Sequence, residues 1–203
     1  MMNVKNTLIN LSSHNEKLKK MIINLPTKST KTEKKTIETL TKVAFFAYAN
    51  DDIDTSMEIC DELSKIKFNN DYDYWTWIEY SLALRGELAI KKRLESKEKE
   101  SIGKIKEVLN SGEGLHKKIR LNVHDRFMNG EGVTLDEIEK NTPPPIEFSY
   151  RLIYLMKLIK IKTLGGSSFF TAEKLTLEIK QNLEKMRELL TNDEDILKSS
   201  LKI

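Results

Sequence analysis

The stretch IETLTKVAFFAYANDDIDTSMEICDELSKI, Ile37 to Ile66, holds the pattern on which the fold turns. Ile37, Leu40, Val43, Ala44 and Ala47 recur at steps of three and four, which puts them on one side of a helix of about 18 residues. Asn50, Asp51 and Asp52 interrupt that pattern, and Ile53, Met57, Cys60, Leu63 and Ile66 then trace the inner face of a second helix. Two amphipathic helices separated by a turn of about four residues predict an antiparallel hairpin.

The same period continues on both sides of the hairpin. After Asn69, Asn70 and Asp71, the run Tyr72-Asp73-Tyr74-Trp75-Thr76-Trp77-Ile78-Glu79-Tyr80 leads into Leu82, Ala83, Leu84, Leu88 and Ala89, a long helix reaching about Leu94 with Asp71 or Asp73 as its N-cap. Residues 91–106 carry ten charged side chains and read as a solvated connection, a soft boundary within a single helical domain over 1–203. Ile102, Ile105, Val108 and Leu109 then predict a short helix. Another, with Leu115, Ile119, Val123 and Phe127 as its apolar face, is bracketed by Gly-Glu-Gly stops at 112–114 and 130–132.

Thr134 and Glu137 have the spacing of a capping box before a short helix over 135–140. Pro143, Pro144 and Pro145 precede an apolar helix over 147–163, which Gly165 and Gly166 end. Thr171 is a plausible N-cap for a last helix, and Lys174, three residues on, rules out a capping box there. That helix shows Leu175, Ile179, Leu183, Met186 and Leu190 on one face. On the N-terminal side, Leu11, Leu18, Met21, Ile22 and Leu25 predict a helix over 8–25 that Pro26 stops. The sum is an all-α chain of about eight helices in antiparallel hairpins, an irregular bundle or short solenoid.

Composition narrows the function classes. The 203 residues are 39% apolar and 32% charged, too apolar for disorder and too charged for a membrane protein. The most apolar stretch, 146–164, is broken by Arg151, Lys157, Lys160 and Lys162 and reads as a core helix, so no membrane partner is expected. The first 25 residues mix lysines with short apolar runs and do not form a signal peptide. The single cysteine, Cys60, lies on an apolar face and reads as a buried small hydrophobe in a reducing cytoplasm. A net charge of +3 lacks the concentrated basicity of a direct nucleic-acid binder.

No constellation rises to a metal or cofactor site. His116 and His124 stand eight residues apart, about 80° round a helix, so they do not converge on an ion. The Gly-Glu-Gly loops lack the Lys-Ser/Thr ending that phosphate cradling requires. The Gly165-Gly166-Ser167-Ser168-Phe169-Phe170 loop reads as an apolar tip that folds back on the core.

One segment departs from the rest. Residues 51–80 hold nine acids (Asp51, Asp52, Asp54, Glu58, Asp61, Glu62, Asp71, Asp73 and Glu79) against Lys65 and Lys67, a net of −7, so the remainder carries +10. Such asymmetry steers a basic partner, and exposed Tyr or Trp supply rigid anchors. The candidate partner-binding residues are therefore Asp51, Asp52, Asp54, Asp71, Tyr72, Asp73 and Trp77, with both acidic turns expected at one end of adjacent hairpins. The bland alternative is a solvated acidic face above a buried aromatic row.

Three resemblances bear on function. The hairpin over 37–66, with Ala44, Ala47, Tyr48 and Ala49 closing its first helix, resembles a tetratricopeptide-type helix pair. No second copy stands at that period, and the resemblance implies an adaptor that holds a peptide in a helical groove. The compact, Lys-rich, unrepeated helical organisation with a Tyr-Trp-Trp segment resembles bacterial immunity proteins. This implies a cytoplasmic, non-enzymatic chain that occludes a cognate toxin with a basic surface, for example a nuclease, and leaves the oligomeric state open. Arg120-Leu-Asn-Val-His124 is similar to the Arg-x4-6-His signature of HEPN ribonucleases, one residue short, and implies an Arg and a His at a scissile phosphate.

Overall fold

The computed structural model describes residues 33–68, 70–132, 135, 142–192 and 196, and among them it has seven helices and no strand. They are α1 (Glu33–Ala49), α2 (Ile53–Leu63), α3 (Tyr72–Lys91), α4 (Glu95–Asn110), α5 (Gly114–Met128), α6 (Pro144–Thr163) and α7 (Ala172–Asn192). The all-α architecture of antiparallel hairpins agrees with the sequence pattern. The helix predicted over 8–25 lies outside the described residues, as does all but Leu135 of the one predicted over 135–140.

The opening hairpin forms where the period predicts it. At the turn, Asn50 N–H donates to the Phe46 carbonyl and Asp52 N–H to that of Ala47, at 3.1 and 2.9 Å. Asp51 takes φ +62°, a left-handed conformation that Asp tolerates better than most residues. The Asp52 carboxylate then caps α2 by accepting from Thr55 N–H at 3.1 Å. Cys60 is buried on the inner face of α2, and burial pushes its thiol pKa up, as suits a packing residue.

α3 is the hub, packed on α1, α2, α4 and α6. Every residue from 81 to 89 is buried, so this helix has no solvent face over more than two turns. Its small residues permit that. A Cβ added at Gly86 would lie 2.7 Å from Thr163 Cγ2, so α6 approaches α3 as closely as it does only over a glycine. Thr163 Oγ1 also donates to the Ala83 carbonyl at 2.9 Å.

The charged run is helix and not connection. α4 covers 95–110 because its Glu and Lys residues pair along the exposed side, Glu95 with Lys99 and Glu100 with Lys104, while Ser101, Ile105 and Val108 face inward. The buried Arg85 guanidinium fixes it in place, donating to Asp61 on α2 at 2.7 Å and to Glu100 and Ser101 on α4 at 2.9 and 3.1 Å. Burial raises the Asp61 pKa, but the bonds from Lys97 and Arg85 pull it further down, so this carboxylate is held charged.

α6 and α7 form a further antiparallel hairpin. Arg151, buried in α6, donates to Glu147 at 2.7 Å and reaches Asn182 of α7 at 3.3 Å, while the Asn182 amide returns a bond to the Arg151 carbonyl at 2.9 Å. Three of the cations that interrupt this apolar stretch have carboxylate partners, Arg151 with Glu147, Lys160 with Glu79 and Lys162 with Glu87. No helix among the described residues is long and apolar enough to cross a membrane. In the loop that follows, Phe170 folds back into the core while Phe169 stays exposed. Thr171 caps α7 through a bond from Lys174 N–H at 3.2 Å, as its position predicts.

The face assigned to α5 needs correction. Leu115, Ile119 and Val123 point outward with 70%, 52% and 59% of their surface exposed, and no residue of α5 is buried. The half-buried side is Lys117, Arg120, Leu121, His124, Phe127 and Met128. A strict four-residue spacing drifts about 40° per step, so it fits a helix face less well than the alternating threes and fours that seat this helix.

Candidate partner-binding surface

The chain reverses at each turn from α1 through α2 to α3, so consecutive turns fall at opposite ends. The turn over 50–54 lies by the C-terminus of α3, where Asp54 pairs with Lys92. The segment before α3 lies by the start of α1, where Asp73 pairs with Lys34 at 3.2 Å. The two acidic groups therefore do not share one end. They are separated by the length of α3, about 30 Å for its 20 residues.

At the first end, Asp51 meets Arg187 of α7 at 2.8 Å, Asp52 is spent on capping α2, and Asp54 is held by Lys92. The Lys92 bond keeps the Asp54 carboxyl below its ordinary range. Ile90 and Leu94 stand exposed in the same part of the chain. Asp51 and Asp54 are therefore surface ion-pair members, compensated by the basic remainder of the protein, and Asp52 is a helix cap.

The second end is built differently. Asp71 immediately precedes α3, exposed, with its carbonyl accepting from Trp75 N–H at 2.9 Å. Asp73 has 86% of its side chain in solvent. Between them Tyr72 is 38% exposed and held on two sides. The Phe68 ring lies 4.9 Å away, and the Arg120 guanidinium of α5 sits 4.4 Å from the ring centroid. Phe68 in turn meets the buried Trp75 edge-on at 5.5 Å, so an aromatic row runs from Tyr72 at the surface into the core.

Trp77 is separate from this group. It is half-buried in the seam of α1 and α3, where Lys42 approaches its ring at 5.3 Å, Tyr80 packs at 6.3 Å, and its carbonyl accepts from Thr41 Oγ1 at 3.1 Å. The predicted set is thereby divided in three: Asp51, Asp52 and Asp54 at one end, Asp71, Tyr72 and Asp73 at the other, and Trp77 in the seam.

Arg120 and His124 do not converge on a common point. The Arg120 guanidinium donates to the Val108 carbonyl at 2.7 Å and to the Ser111 carbonyl, and it stacks on Tyr72. His124 is half-buried one turn on, where burial and then the Lys160 charge lower its pKa, against Glu79 and Asp125. Lys160 itself pairs with Glu79 at 2.5 Å and lies 5.0 Å from the Phe127 ring. Sequence reasoning missed the role of Arg120 as a clasp on the end of α4. The only local signal is Ser111-Gly112, which reads simply as a helix stop.

An all-α chain whose helices present this aromatic and acidic end belongs to a class of helical-hairpin proteins. Its residues 1–188 match the family of unknown function DUF6707, and the chain is a member of that family. No curated protein matches the chain, and no solved structure does.

Proposed function

We propose that this protein is a non-enzymatic, cytoplasmic immunity protein that binds a cognate toxin and occludes it through the acidic and aromatic end of α3. The observation that carries the reading is Tyr72, partly exposed and fixed between Phe68 and Arg120, with Asp71 and Asp73 in solvent on either side of it in the chain. A rigid aromatic flanked by carboxylates is a hot-spot arrangement for a basic partner. The Asp73–Lys34 pair does not disable it. Exposed pairs of this kind contribute only about 0–1 kcal/mol, so a partner's cation exchanges for Lys34 at little cost. If the toxin is a nuclease, its phosphate-binding surface is basic, and an acidic plug competes for it. The use of Arg120 on carbonyls and on Tyr72 favours this reading over a ribonuclease centred on Arg120 and His124.

A second reading, an adaptor that holds a peptide between hairpins, is favoured by the packing of α3 against both α1 and α2, the manner of stacked helix pairs. The product of a toxin gene adjoining this chain's own gene separates the two. Expressed with that toxin, the chain restores growth, and Asp71→Lys with Asp73→Lys abolishes rescue by slowing association most at low salt. Tyr72→Ala acts instead on dissociation, by about 2 kcal/mol or more. No rescue by the wild-type chain overturns the immunity reading.

A further inference from the structure

We infer that Arg120 is a positioning residue for the Tyr72 anchor, locking the ring before any partner arrives. Its functional meaning rests on the binding reading above, while its geometry stands on separate contacts. Arg120 projects from α5 to the C-terminus of α4, where the last carbonyls of a helix lack intrahelical donors. It donates to the Val108 carbonyl at 2.7 Å, to the Ser111 carbonyl, to Ser111 Oγ at 3.5 Å and to the His116 carbonyl at 3.4 Å. Bonds to that many fixed acceptors leave a planar guanidinium in a single orientation, and that plane sits 4.4 Å from the Tyr72 centroid.

The surrounding loop is shaped to admit it. Gly112 takes φ +75°, and a Cβ built there would lie 3.0 Å from Arg120 Nη2, so a side chain at 112 would both strain the backbone and crowd the guanidinium. Three segments thus meet through one guanidinium: α5 carries Arg120, the end of α4 supplies the Val108 and Ser111 acceptors, and the entry to α3 supplies the Tyr72 ring, whose other side meets Phe68. Lysine cannot replace this arginine, because an ammonium is a point charge with no plane to stack and no fork to span the carbonyls. A ring ordered in advance does not lose its freedom on binding. Releasing it should therefore weaken binding by about 3- to 10-fold.

The test compares wild type, Arg120→Lys, Tyr72→Ala and the double variant in the whole 203-residue chain, against the toxin domain encoded by the adjoining toxin gene. Arg120→Lys should retain helicity, release the toxin domain about 3- to 10-fold faster, and add nothing in the Tyr72→Ala background. An equal loss in both backgrounds means Arg120 acts through the fold alone and overturns the inference. The free protein gives an independent arm: carbon relaxation of the Tyr72 ring should report greater motion in Arg120→Lys, and unchanged order overturns the inference. If wild type fails to bind the toxin domain, the immunity reading falls while the ring measurement still decides the positioning role. Should Arg120→Lys unfold, Gly112→Ala displaces the same guanidinium and is read in the same two ways.

Discussion

α3 and α5 are both long helices with apolar residues at helical spacing, yet one is the centre of the protein and the other lies on its edge. α3 packs against four helices and is buried all round from 81 to 89. α5 has no buried residue, and it turns Arg120 and His124 toward the body while Leu115, Ile119 and Val123 face water. What separates them is the side chain at the closest approach. Ala83, Gly86 and Ala89 let neighbours come near α3, so its surface is covered on every side. α5 is attached through a guanidinium, an imidazole and Phe127, contacts that seat a helix without enclosing it. Stability is concentrated in the first helix, and the candidate site forms where its exposed start meets the second.

The largest expected effect breaks this comparison most directly. Leu82→Ala removes a fully buried side chain from α3 and should destabilise the protein by about 2–5 kcal/mol, whereas Leu115→Ala on α5 should fall within about 0.5 kcal/mol of wild type. Urea midpoints for the two variants check this. Similar losses would mean that α5 is enclosed after all.

The glycines sharpen it at a smaller scale. Gly86→Ala drives a methyl into Thr163 and should cost about 1–3 kcal/mol, by separating α3 from α6. Gly103 in the exposed side of α4 has nothing within 4 Å of a Cβ, so Gly103→Ala should stabilise by about 0.5–1 kcal/mol through helix propensity. Thermal unfolding distinguishes the opposite signs. A stabilising Gly86→Ala would refute close packing as the reason for that glycine.

The hairpin over 37–66 was legible because its apolar residues keep a 3.6 period, and the turn over 50–52 breaks it with residues that tolerate unusual backbone angles. The aromatic run was legible in part: Tyr72 reaches solvent as its candidacy requires, whereas Trp77, chosen with it as an anchor, is half-buried in the seam of α1 and α3. The second half of α4 was legible from Ile102, Ile105, Val108 and Leu109, but its charged first half was not, because that part is held by pairing among its charges and by Arg85, whose partners on α4 stand twelve or more residues away. The grouping of the acidic turns failed for a geometric reason: each antiparallel reversal exchanges ends, so neighbouring turns in sequence are far apart in space. The face of α5 failed because what seats it is polar. Arg120 serves carbonyls of α4 and the ring of Tyr72, and neither demand leaves a hydrophobic signature in the sequence.

The smallest expected effect concerns that polar seat. His124 lies on the inner side of α5 with Glu79 of α3, Lys160 of α6 and its neighbour Asp125 acting on it. Burial and then Lys160 depress its pKa, with the two carboxylates opposing, so the folded protein favours the neutral imidazole. The unfolded chain, whose histidine titrates near 6.5, binds the proton more readily than the folded one. By linkage, the contribution is complete above that unfolded value and is lost as pH falls through the depressed folded one. Because α5 is the peripheral helix, the loss should appear first as local opening. Amide exchange corrected for its intrinsic pH dependence should show reduced protection over 114–128 on moving from neutral to mildly acidic solution, with the amides of 81–89 unchanged. His124→Gln, which cannot take the proton, should remove the response. Equal loss of protection in α3 and α5 would mean that the two helices open together, and the difference between hub and edge would not extend to their dynamics.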